Sequence, residues 1–415
     1  MIGYHKHILN NGLRVIVNED DTTPLAAVNI MYDVGARDEQ PGKTGFAHLF
    51  EHFMFSGSKN IPKYDEPLEK LGGHNNAFTN NDVTNYYCTL PVGNIETAFW
   101  LESDRMLDLR FTESNLEVQK NVITEEFRQM YLNQPYGDVW LILRPMAYKV
   151  HPYQWPTIGK SIEHIKDANM QEVRDFYQRF YNPNNAVLCV SGNIKADKVF
   201  RLAEKWFGSI QNRGENKRTL PEEPKQKERR SESIHRDVPL DAIFMAFHME
   251  SRLDPQFYAS DLLSDILSNG NSSRLFQQLI KQKKLFSEIN AFITGDIDNG
   301  LLVVHGSLIR GVAMKEAEQA IQHELQKIMV QDVAPEELEK VKNKVESALI
   351  MAETKTLNKA INLSYYELLG DAGMNNELIE KYRAVTVTDI KTQANKIFRR
   401  ENSNSLYYYS NHKQS

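Results

Sequence analysis

Cysteine is scarce in this sequence of 415 residues, which contains only Cys88 and Cys189. The two are far apart and form no C-x-x-C pair, so neither a disulfide framework nor a cysteine zinc cluster is indicated. They are expected to be reduced, buried side chains, as in proteins of a reducing compartment. The expected location is therefore the cytoplasm.

Long apolar runs and an excess of positive charge are also lacking. No segment approaches the about 18 apolar residues of a membrane-spanning helix, and the polar start MIGYHKHILNNG has no apolar core of a signal peptide. Lys and Arg number 49 against 55 Asp and Glu, a formal net charge of -6, and no basic stripe is visible. These features argue against a membrane protein and against a nucleic-acid partner.

The sequence does contain an internal repeat. Segment 168–192 resembles segment 385–410 in its pattern of helix, polar turn and strand, and segment 45–55 resembles part of 256–279 in the same order. The chain is also too long for one ordinary hydrophobic core. The length predicts two or more domains, and the repeat predicts two similar halves.

Between the repeats, NRGENKRTLPEEPKQKERRSES is almost wholly charged or turn-forming and cannot bury an apolar face. The predicted fold class is α+β, with two homologous halves that each form a mainly antiparallel sheet with helices packed on one face. The predicted domains are an N-terminal half at 1–211, a charged linker at 212–233 and a homologous C-terminal half at 234–415.

The stretch GFAHLFEHFMF places His48, Glu51 and His52 in an otherwise apolar segment. On a helix, His48 and His52 are four residues apart and share a face, so their ring nitrogens can bind one zinc ion. Glu51 lies near the same face and can act as general base on a zinc-bound water. The pattern H-x-x-E-H is a zinc-peptidase signature. The matching positions of the second half carry other residues: Asp261, Ser264 and Asp265.

A plainer interpretation is that each histidine is a satisfied core residue. With 12 histidines in the chain, chance would produce H-x-x-E-H in roughly 2% of sequences of this composition. Burying three ionisable groups together is costly unless something pairs them, and a metal would do so. The apolar setting therefore favours a metal site, for which the motif does not supply the third protein ligand.

The stretch GFAHLFEHFMFSGSKN closely resembles the inverted zinc motif of the pitrilysin/insulinase peptidases, which include the mitochondrial processing peptidase. The resemblance implies one zinc ion per chain and a third ligand from a glutamate on a downstream helix. The segment EVQKNVITEEFRQ has the matching pattern V-I-x-x-E, which indicates Glu126 as that ligand. Its neighbour Glu125 is the less favoured candidate.

The resemblance also covers GGHNNAFTNNDVTNYYCTLP, which is similar to the family's substrate-binding strand. It implies that Asn76 and Ala77 bind the backbone of an extended peptide added at a sheet edge. One departure from the family is Gln119, which stands where a second glutamate is usual. A glutamine can still hydrogen-bond behind the ligands, but it brings no charge.

A larger departure lies in LIKQKKLFSEI at 279–289, where the family has an Arg and a Tyr that stabilise the oxyanion. Ile280 and Ser287 occupy those positions. The resemblance therefore implies a partner, expected to be a related chain that supplies the Arg/Tyr pair in a heterodimer, although a homodimer is possible. The two chains would enclose a chamber that admits peptides or unfolded segments.

The predicted function is a zinc-dependent endopeptidase subunit with Glu51 as general base. The alternative is a non-catalytic subunit of the same family that binds peptides or serves a structural role, since the missing Arg/Tyr pair fits such drift. A zinc enzyme acting on another class of substrate is a third possibility, against which the Asn76-Ala77 strand argues. Measuring zinc content would separate the first two.

Overall fold

The structure is a computed structural model that describes residues 1–214 and 216–411. Its strands are β1 (His5–Ile8), β2 (Arg14–Glu19), β3 (Leu25–Tyr32), β4 (His74–Thr79), β5 (Thr84–Pro91), β6 (Ala186–Gly192), β7 (Arg230–Arg236), β8 (Ala242–His248), β9 (Phe286–Ile293), β10 (Leu301–Leu308) and β11 (Ser403–Ser410).

The α-helices of the first half are α1 (Phe46–Phe53), α2 (Asp65–Lys70), α3 (Ile95–Leu107), α4 (Glu113–Phe127), α5 (Val139–Ala147), α6 (Ile162–Lys166), α7 (Met170–Phe180) and α8 (Ala196–Phe207). Those of the second half are α9 (Phe257–Ser268), α10 (Met314–Val330), α11 (Pro335–Ala352), α12 (Thr356–Leu368), α13 (Leu378–Ala384) and α14 (Val387–Ile397). Within the described ranges, no helix combines the length and the apolar character needed to span a membrane.

The two sheets share one topology. Their strand orders are β1-β2-β6-β3-β5-β4 and β7-β11-β8-β10-β9, which coincide strand for strand once β1 is set aside. In each sheet one neighbouring pair is parallel, β2 with β6 and β7 with β11, and the remaining pairs are antiparallel. The predicted fold class, two homologous α+β halves with mainly antiparallel sheets, is confirmed.

The compact units of the structure do not follow the midpoint of the chain. The first unit comprises Met1–Arg128, Trp155–Pro221 and Leu349–Glu377, and the second comprises Gln129–Gln154, Glu222–Ala348 and Leu378–Ser415. Each unit thus contains a segment from the other half of the sequence. The segment that joins the first unit carries α12, and the segment that joins the second carries α5.

In the first unit, α12 packs against β2, β3 and β6. Both faces of β3 are buried, because consecutive side chains of a strand point to opposite faces and all its residues after Leu25 are buried. One face therefore lies under α12. The core on that face comprises Ile2, Ile16, Ala27, Val187, Cys189, Ala360, Leu363 and Ala372.

In the second unit, α5 packs against β7, β8 and β11. The apolar core there includes Val139, Leu143 and Met146 from α5 together with Ala246 and Leu406 from the sheet. Helix α5 thus supports the second sheet in the way that α12 supports the first. Helices were predicted on one face of each sheet, and both sheets also receive a helix from the other half of the sequence.

Part of the charged stretch between the halves is bound to the first unit. The guanidinium of Arg218 donates to the carboxylate of Asp38 through Nε (2.6 Å) and Nη2 (3.0 Å), and it also pairs with Asp33. At the far end of the stretch, β7 begins at Arg230. Ion pairs rather than apolar contacts hold Arg218, which is why hydrophobic patterning does not reveal the contact.

Candidate metal centre

The motif helix α1 buries one side and turns its polar residues to the other. Five of its eight residues are buried: Phe46, Ala47, Leu49, Phe50 and Phe53. The ring of Phe50 stacks on Phe176 and Tyr181 with centroids 5.0 and 5.1 Å apart. This aromatic packing holds α1, so His48, Glu51 and His52 share the remaining, half-exposed side.

The structure brings His48, His52 and Glu126 together. Nε2 of His52 lies 3.4 Å from Oε2 of Glu126, and Nε2 of His48 lies 3.8 Å from Oε1 of the same carboxylate. The two imidazole rings are 4.8 Å apart between centroids, at 79° to each other. One potential ligand atom from each residue lies within 4.8 Å of the other two.

These separations fit a zinc ion. Bonds of about 2.0–2.1 Å to nitrogen and oxygen ligands in a tetrahedron separate the ligand atoms by about 3.3–3.4 Å. The observed 3.4 and 3.8 Å, measured to the two oxygens of the Glu126 carboxylate, are close to that value. Two neutral imidazoles and one carboxylate are also a donor set that catalytic zinc sites use.

The local electrostatics favour the protonation states that metal binding requires. Burial lowers the pKa of His48 to about 4, with nearby His52 acting in the same direction and Glu126 opposing it. The hydrogen bond from His52 lowers the pKa of Glu126, despite partial burial. Near neutral pH, His48 is therefore neutral and Glu126 anionic, which are the states that binding a metal would require.

Glu51 faces the edge strand of the first sheet. The hydroxyl and the backbone N–H of Thr79, the last residue of β4, act to lower the pKa of this carboxyl group. Burial nevertheless raises the pKa of Glu51, which makes this carboxylate a stronger base than an exposed one. The residue lies on the same helix as the two histidines and beside the strand that resembles a peptide-binding edge.

The residues predicted to bind substrate, Asn76 and Ala77, lie on β4, which is the outermost strand of its sheet. The backbone N–H of Ala77 donates to Oδ1 of Asn76 at 2.8 Å. Alternate N–H groups of an antiparallel strand face away from the paired strand, so this N–H lies on the outer edge. An extended peptide could take the place of the Asn76 amide there.

Gln119 and Glu125 have other neighbours. Nε2 of Gln119 donates to Oγ of Ser56 at 2.9 Å, so this side chain joins α4 to the segment after α1. The side chain of Glu125 is 60% exposed and pairs with Arg128. Of the two adjacent glutamates, only Glu126 belongs to the three-residue metal-ligating group.

The segment that departs from the family pattern lies in the second unit. Ile280 is half-buried in the helical turn at Phe276–Gln282, and Ser287 is exposed on β9, where its hydroxyl donates to the carbonyl of Ser307 at 3.1 Å. An isoleucine has no hydrogen-bond donor in its side chain, and this serine already donates. Neither residue replaces a charged Arg or a Tyr hydroxyl.

Helix α9, the counterpart of α1 in the second half, carries two carboxylates in place of the histidines. Asp261 accepts a hydrogen bond from the hydroxyl of Tyr382, and Asp265 accepts one from Nδ2 of Asn269 at 2.7 Å. Both carboxylates are therefore hydrogen-bonded to other side chains of the protein. Within residues 1–214 and 216–411, the one group of side chains that could hold a metal ion lies in the first half.

Sequence reasoning missed Glu39, which lies in a loop rich in Gly and Pro. Its side chain is buried, and its carboxylate accepts hydrogen bonds from the backbone N–H groups of Gly45 and Ala47. One signal was available. Helix α1 follows Thr44-Gly45, without a Ser, Thr, Asp or Asn at the N-cap position, so its first N–H groups need acceptors from elsewhere.

Comparisons with known proteins cover nearly the whole chain. Residues 14–159 match the family model described as insulinase, peptidase family M16, and residues 167–345 match the model described as peptidase M16 inactive domain. The chain is 27% identical over 405 residues to the zinc protease PqqE of Helicobacter pylori, an alignment that spans 96% of this chain and 91% of that protein.

Two further matches agree with these. A probable mitochondrial-processing peptidase subunit beta of Arabidopsis thaliana is 24% identical over 419 residues, which span 95% of this chain and 78% of that protein. The crystal structure of a protease from Helicobacter pylori matches with a TM-score of 0.92 at 26% identity, covering 99% of this chain and 100% of that one.

Proposed function

The chain belongs to the insulinase family of peptidases, M16, and we propose that it is the zinc-bearing subunit of an endopeptidase. The proposed substrates are peptides or unfolded segments. The observation that carries the proposal is the convergence of His48, His52 and Glu126 at spacings that suit zinc, with Glu51 on the same helix. Relatives that align along the full chain are named zinc proteases.

In the proposed mechanism His48, His52 and Glu126 hold one zinc ion. When bound, the ion supplies Lewis acidity, which makes a water molecule easier to deprotonate and polarises the peptide carbonyl. Glu51 accepts the proton that the attacking water loses. The same carboxyl group then donates a proton to the leaving nitrogen as the peptide C–N bond breaks. Its raised pKa suits both transfers.

The edge strand β4 is the proposed substrate-binding element. Main-chain hydrogen bonds from its outer edge, at Asn76 and Ala77, would align an extended peptide as an added strand. Because α1 packs against β4 and Thr79 at the end of β4 influences the pKa of Glu51, a peptide on this edge would lie close to the general base. Such binding depends little on substrate side chains.

A partner subunit completes the proposal. Oxyanion stabilisation by a single donor contributes about 10²- to 10³-fold in rate, and Ile280 and Ser287 cannot supply the Arg/Tyr pair. We therefore expect a related chain with that pair to form a heterodimer with this one. One relative is itself named as a subunit of a processing peptidase.

The presence of Ile280 and Ser287 in place of the Arg/Tyr pair favours a second candidate function, a non-catalytic subunit that binds peptides. The two candidates differ in their metal. An active subunit contains about one zinc per chain, whereas a scaffold has no use for the ion. Metal analysis of the purified chain distinguishes them before any substrate is known.

Replacing Glu51 tests the function directly. We expect Glu51→Gln to retain zinc and to lose hydrolysis of an unfolded protein or a fluorogenic peptide, measured with the partner chain present, because Gln cannot accept a proton. Glu125→Gln, at an exposed glutamate of α4, is the matched control and should cleave normally. If Glu51→Gln cleaves the substrate at the wild-type rate, Glu51 is not the general base.

A further inference from the structure

Glu39 is a buried carboxylate for which the proposed mechanism has no use. The residue is only 7% exposed, and burial raises its pKa to about 8 even though the hydrogen bonds from Ala47 and Gly45 act in the opposite direction. A group this costly to bury is retained for its contacts. Those contacts are made with α1, the helix that carries His48 and His52.

Both carboxylate oxygens of Glu39 bind the start of α1. Oε2 accepts from the backbone N–H of Gly45 at 2.9 Å, and Oε1 accepts from the backbone N–H of Ala47 at 2.9 Å. The first N–H groups of any helix lack partners within the helix. Gly45, the N-cap residue, has no side chain that could serve them. Glu39 does so from outside the helix.

The opposite side of this helix start is closed by other residues. A Cβ atom on Gly45 would lie 2.7 Å from the carbonyl oxygen of Ile158 and 2.7 Å from the side chain of Ile165. The hydroxyl of Thr44 accepts from the backbone N–H of Lys160 at 2.7 Å. The start of α1 therefore lies between the closely packed residues Ile158 and Ile165 and the carboxylate of Glu39.

The loop that carries Glu39 is itself anchored. Asp38, the preceding residue, binds Arg218 and also accepts from the backbone N–H of Gly35 at 3.0 Å. The indole of Trp155 donates to the carbonyl of Ala36 at 2.9 Å. Glu39 is thus presented to α1 from a fixed loop.

We propose that Glu39 is a positioning residue of the metal centre, which sets the start of α1 so that His48 and His52 meet Glu126. His48 directly follows Ala47, whose N–H Glu39 binds, so the first metal ligand lies in the turn that this carboxylate holds. Helix α1 has only two turns, and a shift of its start moves both histidines. The inference rests on the proposed zinc site, but it does not depend on hydrolysis.

Zinc affinity, measured in the full-length chain by competition with a chromophoric chelator, tests the role. Groups that orient metal ligands typically contribute about 10- to 100-fold in affinity. We expect Glu39→Gln, which keeps the shape and one acceptor, to weaken zinc binding about 10-fold, and Glu39→Ala, which removes both acceptors, to weaken it about 100-fold. The visible spectrum of the cobalt-substituted protein should change in both variants, because the ligand geometry changes.

Glu367→Gln is the matched control. Glu367 is another buried carboxylate of the first unit, with a side chain 2% exposed that pairs with Lys6 and accepts from the backbone N–H of Ala372. This variant should lose stability but keep wild-type zinc affinity and an unchanged cobalt spectrum. If Glu39→Ala does not fold, the zinc affinity of Glu39→Gln alone tests the proposed role of Glu39.

Wild-type affinity in a folded Glu39→Gln variant would overturn the proposal, as would an equal loss in Glu367→Gln. Zinc binding and peptide cleavage by the wild-type chain distinguish a failure of this proposal from a failure of the proposed function. A chain that binds zinc without cleaving peptides contradicts the peptidase and leaves the role of Glu39 measurable. A chain that binds no zinc contradicts both.

Discussion

Nε2 of His52 lies 3.4 Å from Oε2 of Glu126, although 74 residues separate the two in the sequence. The contact joins α1 to α4 and adds a carboxylate to the two histidines, so that three residues that could hold a metal ion lie together. It also distinguishes Glu126 from Glu125, whose carboxylate pairs with Arg128 on the exposed side of the same helix.

Replacing each of these glutamates in turn tests that distinction. Glu126→Gln removes the anionic ligand, so we expect the purified variant to retain less than about 10% of a full complement of zinc after dialysis. Glu125→Gln should retain about one zinc per chain, because it changes only a surface ion pair. Metal analysis by inductively coupled plasma mass spectrometry measures both. The reverse pattern would make Glu125 the ligand.

A proline at the outer edge of β4 tests the peptide-binding strand. Ala77→Pro removes an N–H that faces away from β5, so the sheet itself loses no bond, whereas an added peptide loses one. We expect KM for a peptide substrate to rise about 10-fold, which corresponds to about 1.4 kcal/mol. Zinc content should not change.

The matched control is Ala77→Ser, which keeps the N–H and adds a small polar side chain. It should leave KM within about twofold of wild type, because main-chain bonds rather than the side chain hold the peptide. An unchanged KM in Ala77→Pro would mean that the substrate does not pair with this edge.

The sequence predicted the local features of the site because their geometry is local. The four-residue spacing of His48 and His52 follows from the helix period, whatever surrounds it. The resemblance to a family pointed to Glu126, and the structure brings that residue to the histidines. The peptide-binding segment was treated as one strand, but a turn at 80–83 divides it into β4 and β5. In that turn, the Asn80 side chain accepts from the backbone N–H groups of Asp82 and Val83.

Contacts between distant segments were not accessible to pattern reasoning. The bonds from Gly45 and Ala47 to Glu39 are donated by backbone N–H groups. Every residue except proline has such a group, so the residue types of the donors do not predict these bonds. The docking of α12 on the first sheet depends on its apolar side, which the sequence shows, but periodicity does not say which sheet that side covers. Arg218 was part of a stretch predicted to be a charged linker, because charge alone does not reveal a partner.

The position of α12 predicts that residues of the second half stabilise the first sheet. Leu363 is fully buried with Ile16, Ala27 and Val187. We expect Leu363→Ala to reduce the free energy of unfolding by about 2–5 kcal/mol, as for other buried leucines. Ile350→Ala, at a residue 51% exposed, should change it by less than about 0.5 kcal/mol.

Urea titrations followed by circular dichroism provide both values. A loss from Leu363→Ala no greater than that from Ile350→Ala would contradict the packing of α12 on this sheet. Zinc content should be retained in both variants, since neither residue contacts the metal ligands.

The ion pair between Asp20 and Lys359 predicts a pH dependence for the same helix. Nζ of Lys359 lies 2.8 Å from Oδ2 of Asp20, whose side chain is buried. Burial alone would raise the pKa of Asp20, but the bonds from Lys359 and Thr22 outweigh it and lower the pKa to about 2. A carboxylate with a lowered pKa stabilises the folded state above its ordinary pKa of 3.8.

That contribution is lost as the pH falls from about 4 to about 2, because the carboxylate is then protonated in the folded protein as well. We expect Asp20→Asn to be less stable than wild type by about 2 kcal/mol at pH 6, with a difference that shrinks below pH 4. Asp21→Asn, at the exposed neighbouring residue, should show no such trend in urea titrations at the same pH values. A pH-independent difference for Asp20→Asn would mean that its packing, rather than its charge on Lys359, stabilises the contact between α12 and the first sheet.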